Sequence, residues 1–129
     1  MANLLLDTHV LLYALDEPEA LSPVARAALE AKTNALFISA VAAFEIATKL
    51  RIGKLPRAAH LLPVYPDATR RIGRELGVTT QHALAAGSLA WDHKDPFDRI
   101  LAAQAMTEGM PLVTADRAFA SLPGLATIW

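Results

Sequence analysis

The chain reads as short apolar segments, each closed by an acidic or turn-forming residue. Asn3 to Leu6 (NLLL) is an apolar run closed by Asp7, as expected of a strand buried on both faces of a parallel sheet. Val10 to Leu15 continues apolar and predicts the start of a helix, broken by Asp16-Glu17-Pro18. Ser22-Pro23 is an N-cap followed by a proline at the first helical position, opening a helix over Pro23–Lys32. Ala35 to Ser39 (ALFIS) predicts a second strand, and a helix follows from Ala40 to Ile52, stopped by Gly53 with Pro56 beyond. Further on, the pattern predicts helices over Ala68–Leu76 and, capped by Thr80, over Gln81–Ala90, with a short strand at Val78-Thr79. Asp95-Pro96 repeats the cap-and-proline signal and opens Pro96–Glu108, which Gly109 and Pro111 end. Leu112 to Thr114 is a strand ending near Asp116, Arg117–Leu122 a short helix, and Ala126–Ile128 a last strand.

Strands alternating with helices predict an α/β fold with a parallel sheet covered on both faces. The 129 residues suit one domain, residues 1–129, with a proper core. There is no cysteine, which excludes thiolate chemistry and disulfides. No apolar run is long enough to cross a bilayer, and Asp7 interrupts the first one, so no signal peptide and no membrane partner are expected and the reading is cytoplasmic.

Four acids stand out against this background: Asp7, Glu45, Asp98 and Asp116. In an open parallel sheet, ligands bind beyond the carboxyl ends of the strands. Asp7 and Asp116 follow strands directly. Glu45 lies in the second turn of a helix that leaves that edge, and Asp98 in the first turn of a helix whose N-terminus returns to it. Glu45 shares a helix face with Val41, Phe44, Thr48 and Ile52, and Asp98 with Leu101, Ala102 and Ala105, so both are expected to point inward. Taken singly, Asp7 reads as a strand-end turn residue, Asp98 as an acid favoured by the helix dipole, and Asp116 as a cap. Their convergence on one edge points to a cage for a hard cation, because buried carboxylates pair, protonate or bind metal.

Composition alone looks wrong for a nucleic-acid binder, with 12 basic and 13 acidic residues and a net charge of −1. Neutralising the four acids by metal would leave 12 basic residues against 9 acidic, which removes the objection. None of His9, His60, His82 and His93 stands at metal-ligand spacing from another, and no Gly-rich phosphate loop is present.

Four segments together carry a resemblance: LLLDTHVLLYAL (Leu4–Leu15), FEIATKLRIGKL (Phe44–Leu55), HKDPFDRILAAQA (His93–Ala105) and LVTADRAF (Leu112–Phe119). In order and spacing they resemble the PIN-domain nucleases and, among these, the VapC-type toxins of bacterial toxin–antitoxin pairs. The resemblance implies a three-layer α/β/α domain with a central parallel sheet of four to five strands. It implies a ribonuclease that uses Mg2+ or Mn2+, one or two per site. It also implies a homodimer and a small cognate VapB-like antitoxin. The family's acidic positions fall on the same four residues.

The expected chemistry is cleavage of RNA phosphodiester bonds, with Asp7, Asp98 and Asp116 as metal ligands and Glu45 acting directly or through water. Thr8 and Thr114 are expected to orient carboxylates. Arg99, Arg117 and Lys49 are expected to meet substrate phosphate, and Tyr13, Trp91 and Phe97 are aromatic candidates for stacking. Two other readings stay open: an acid-cluster phosphatase or receiver-like domain, which lacks a second aspartate two residues after Asp7, and a non-catalytic RNA- or protein-binding module.

Overall fold

A computed structural model describes residues 1–129. Five strands form one sheet: β1 (Asn3–Leu6), β2 (Ala35–Ser39), β3 (Arg74–Leu76), β4 (Leu112–Val113) and β5 (Thr127–Ile128). All neighbours are parallel, in the order β3-β2-β1-β4-β5, with β1 at the centre. Six α-helices accompany them: α1 (Thr8–Asp16), α2 (Pro23–Glu30), α3 (Ala40–Arg51), α4 (Tyr65–Arg70), α5 (Thr80–Ser88) and α6 (Pro96–Glu108). Three 3₁₀ segments, Pro18–Ala20, Pro56–Val64 and Arg117–Ser121, complete the chain.

The strand period of two explains the layering. Leu5 and Leu112 point to one face, where α6 (Leu101, Ala102, Ala105) and Phe119 cover them. Leu4, Leu6 and Val113 point to the other, against Val10 and Leu11 of α1 and Ala25 of α2. Leu4, Leu5 and Leu6 are all fully buried, which is why the run has no polar alternation. Helix α3 serves both layers, giving Val41 to the first core and Ala42 to the second. It therefore crosses the end of the sheet, and this placement brings Glu45 to the carboxyl edge.

Caps set the helix boundaries nearest the site. Ser39 Oγ accepts from Val41 N at the start of α3, and Asp95 Oδ1 accepts from Phe97 N and Asp98 N at the start of α6. Gly109 ends α6 in the left-handed conformation with φ 68°.

The region between α3 and α5 departs from the sequence pattern. The single helix expected over Ala68–Leu76 is instead the six-residue α4, a break, and the edge strand β3. The reason lies at Gly73. A Cβ there would sit 2.4 Å from the carbonyl oxygen of Leu36, so only glycine lets the chain close on β2. The expected strand at Val78-Thr79 does not form. Thr79, rather than Thr80, caps α5: its hydroxyl accepts from His82 N while its own N–H donates to His82 Nδ1. This is a capping box with histidine in the place of the usual Glu or Gln.

Candidate active site

Asp7 ends β1 and stands at the N-cap position of α1, but its side chain makes no cap hydrogen bond. The carboxylate is buried and turned instead toward Thr114, whose hydroxyl donates to Oδ2 at 2.7 Å. Thr114 also accepts from Asp116 N at 3.0 Å, so one threonine ties the ends of β1 and β4 together. Glu45 is buried on α3, where Thr8 donates to Oε1 at 2.6 Å and Lys49, one turn on, donates to Oε2. Asp98 is buried in the first turn of α6, with His93 Nε2 2.6 Å from Oδ2.

These three carboxylates share one electrostatic environment. Burial raises the Asp98 pKa to about 6; the His93 hydrogen bond opposes the shift, and the charges of Asp95, Asp7 and Glu45 add to it. Burial likewise raises Asp7, opposed by Thr114 and His9 and reinforced by Glu45. At Lys49, burial works against the ammonium. The hydrogen bond to Glu45 and the fields of Glu45, Asp95 and Asp98 nevertheless hold its pKa above the ordinary lysine value. Three buried acids thus face one ammonium, Lys49, and two imidazoles, His9 and His93; wherever the imidazoles are neutral, negative charge is left uncompensated.

Asp116 stands apart. It is exposed, and its Oδ1 accepts from Ala118 N, capping the Arg117–Ser121 turn. It joins the cluster only through Thr114. No three acidic or histidine side chains are drawn into a ready-made coordination cluster. The reason is local: Thr8 and Lys49 hold Glu45, His93 holds Asp98, and Thr114 holds Asp7. The donor chemistry still suits a hard divalent cation, since the oxygens are carboxylates and the surplus charge is negative. The largest groove, about 520 Å3 between α3, α4 and β3, is lined by Ser39, Tyr65, Arg70 and Glu75 and includes none of the four acids. The site is defined by charge rather than by concavity.

Several supporting residues take places that the sequence did not foretell. Arg99 is not available to substrate phosphate. Its guanidinium donates to the carbonyls of Ala86, Leu89, Trp91 and His93 at 2.8–3.0 Å, stapling the loop that leads into α6. Lys49 is engaged by Glu45, while Arg117 is exposed. Phe44 and Ile52, expected to share an inward face with Glu45, are 65% and 49% exposed. His93, which stands at metal-ligand spacing from no other histidine, is the direct partner of Asp98. The i,i+5 step across a proline-initiated helix start has no standard sequence signature, so this pairing was invisible.

A model of the PIN domain matches residues 4–125. The chain belongs to the PIN-domain family. This PIN domain is 32% identical over 132 aligned residues to "Ribonuclease VapC22" of Mycobacterium tuberculosis, an alignment that covers 100% of both chains. In fold it resembles VapBC2 from Rickettsia felis, solved bound to a promoter DNA fragment, with TM-score 0.72, 19% identity and coverage of 97% of this chain and 96% of that one. It also resembles DNA-bound VapBC from Salmonella typhimurium, with TM-score 0.68, 21% identity and coverage of 98% and 97%. At these identities the structural likeness speaks for the fold.

Proposed function

We propose that this PIN domain is a metal-dependent endoribonuclease and the toxin of a toxin–antitoxin pair. One observation carries the chemistry: three buried carboxylates, on β1, α3 and α6, converge at the carboxyl edge of the sheet with too little positive charge around them. The full-length likeness to a ribonuclease supports RNA as the substrate. In this reading Asp7, Asp98 and Asp116 would hold Mg2+ or Mn2+, one or two ions, with Glu45 contributing directly or through water. Bound there, the cation would supply Lewis-acid chemistry, activation of water and neutralisation of charge on the phosphate.

The chain's own residues prepare that chemistry. Thr114 and Thr8 fix the orientation of Asp7 and Glu45 by donating to one oxygen of each. His93 holds Asp98, and Arg99 holds the His93 loop. Arg117, exposed beside Asp116, meets substrate phosphate; Lys49 neutralises Glu45 and is close enough to the cluster to do the same. The solved neighbours are VapBC complexes, which supports a VapB-like antitoxin partner here. We further propose a homodimer acting in the cytoplasm. No helix is long and apolar enough to cross a membrane.

The test is cleavage of total cellular RNA by the purified, antitoxin-free protein. Activity should appear with added Mg2+ or Mn2+ and vanish with EDTA. Intact RNA under every divalent condition would overturn the reading. Phosphate transfer to Asp7 from acetyl phosphate would favour the phosphatase or receiver alternative instead.

A further inference from the structure

Phe44 is 65% exposed, although it directly precedes the buried Glu45 on α3. Its ring meets that of Phe97 edge-on, with centroids 5.3 Å apart and planes at 78°. Phe97 directly precedes Asp98 and is half-buried, with its body packed against the core that contains Leu5 and Leu101. One ring is therefore anchored and the other presented. Together they bridge α3 and the N-terminus of α6, the same seam across which Lys49 feels Asp95 and Asp98. A presented phenyl ring has no packing role to explain it, and its contact with Phe97 fixes its orientation at little entropic cost.

We propose that Phe44, backed by Phe97, is a stacking platform for a base of single-stranded RNA beside the scissile phosphate. The inference rests on the nuclease reading and adds to it the residue pair that would receive a substrate base. Every base offers a π-face, and a duplex hides those faces, so an exposed ring at the site selects loops and single strands without reading their sequence. Charge favours nucleic acid as the occupant. Arg51 lies two turns along the same helix from Phe44 and Lys54 follows it, both exposed, placing cations for the backbone on the same side as a ring for the base.

The experiment measures steady-state cleavage of a fluorescent single-stranded oligoribonucleotide with Mn2+ by the full chain and by Phe44→Ala, Phe44→Leu and Phe44→Trp. Circular dichroism and sedimentation velocity are recorded on each. Stacking predicts that Phe44→Ala raises KM about tenfold while kcat changes far less. Phe44→Leu, which keeps apolar area but has no π-face, should fail to restore KM, and Phe44→Trp should restore it. An unchanged KM in Phe44→Ala, or full rescue by Phe44→Leu, overturns the platform while leaving the nuclease reading intact. An unchanged KM with a loss of dimer in sedimentation assigns Phe44 to a protein interface and also overturns it. A wild-type protein that neither binds nor cleaves the oligonucleotide removes the nuclease reading and the platform together.

Discussion

The two ends of α6 each carry a carboxylate–histidine pair, built in opposite senses. At the C-terminal end the histidine is the buried partner: the His82 side chain is 2% exposed, and Glu108, 37% exposed, reaches it from the surface at 2.9 Å. The ring of His82 is fully used. Nδ1 accepts from Thr79 N, which leaves the proton on Nε2 to be donated to Glu108. Gln104 lies alongside and donates to the carbonyl of Gly77. At the N-terminal end the carboxylate is the buried partner: Asp98 is 13% exposed and His93 30%. Asp98 also faces Asp7, Glu45 and Asp95.

The difference teaches how to separate structure from function in a polar interior. A buried imidazole with both ring nitrogens hydrogen-bonded costs little to bury, and its carboxylate partner keeps its charge at the surface, in reach of water. A buried carboxylate among carboxylates is a standing excess of charge, which only a proton or a cation relieves. The same residue types therefore brace α5 against α6 at one end and, at the other, gather the carboxylates proposed as the reactive site.

The largest effect should come from Asp98→Asn. It removes the charge at the reactive end, and RNA cleavage should fall about a thousandfold in single-turnover assays, with no loss of thermal stability. If the variant cleaves like the wild type, the two ends of α6 do not differ in kind. Next comes His82→Ala, which opens a cavity and leaves Thr79 N and Gln104 short of a partner. Denaturant titration should show a loss of about 2–3 kcal/mol, while cleavage per folded molecule stays within about twofold. A collapse of activity at full stability would contradict the structural role given to this end.

The smallest effect is the pH dependence of the metal-free protein. Asp98 has a folded pKa of about 6, above its ordinary value of 3.8, and Asp7 shifts in the same direction. A raised carboxyl pKa means that the folded state binds a proton that the unfolded chain releases. The stabilising contribution is complete below the unfolded pKa and is lost as pH rises through about 6. Lowering the pH from 7.5 to 5 in EDTA should therefore raise stability by about 1 kcal/mol. Asp98→Asn should remove most of that gain, whereas His82→Ala should retain it.

Much of this molecule was legible in its sequence because the signals were local. The apolar runs of β1 and β2, the Asp95 cap, and the Gly53, Pro96 and Gly109 boundaries placed α3 and α6 to the residue or nearly so. From those boundaries alone Asp7, Glu45 and Asp98 fall at one edge of the sheet. The segment from Lys54 to Thr79 was not legible. There the decisive fact is the close approach of Gly73 to Leu36, a contact between residues far apart in the chain, which turned an expected helix into an edge strand.

The sequence by itself determined the fold class, the elements on either side of the segment from Lys54 to Thr79 and the level along the sheet at which the acids stand, because periodicity and capping act within a few residues. Only the tertiary structure decided what each polar side chain touches. It gave Lys49 and Thr8 to Glu45, His93 to Asp98 and Thr114 to Asp7, left Asp116 exposed, and committed Arg99 to four carbonyls rather than to substrate. Two of these contacts join residues dozens of positions apart, Thr8 with Glu45 and, farthest, Thr114 with Asp7. Their geometry depends on how whole helices dock on the sheet, and that information lies in the packed core rather than in any local pattern.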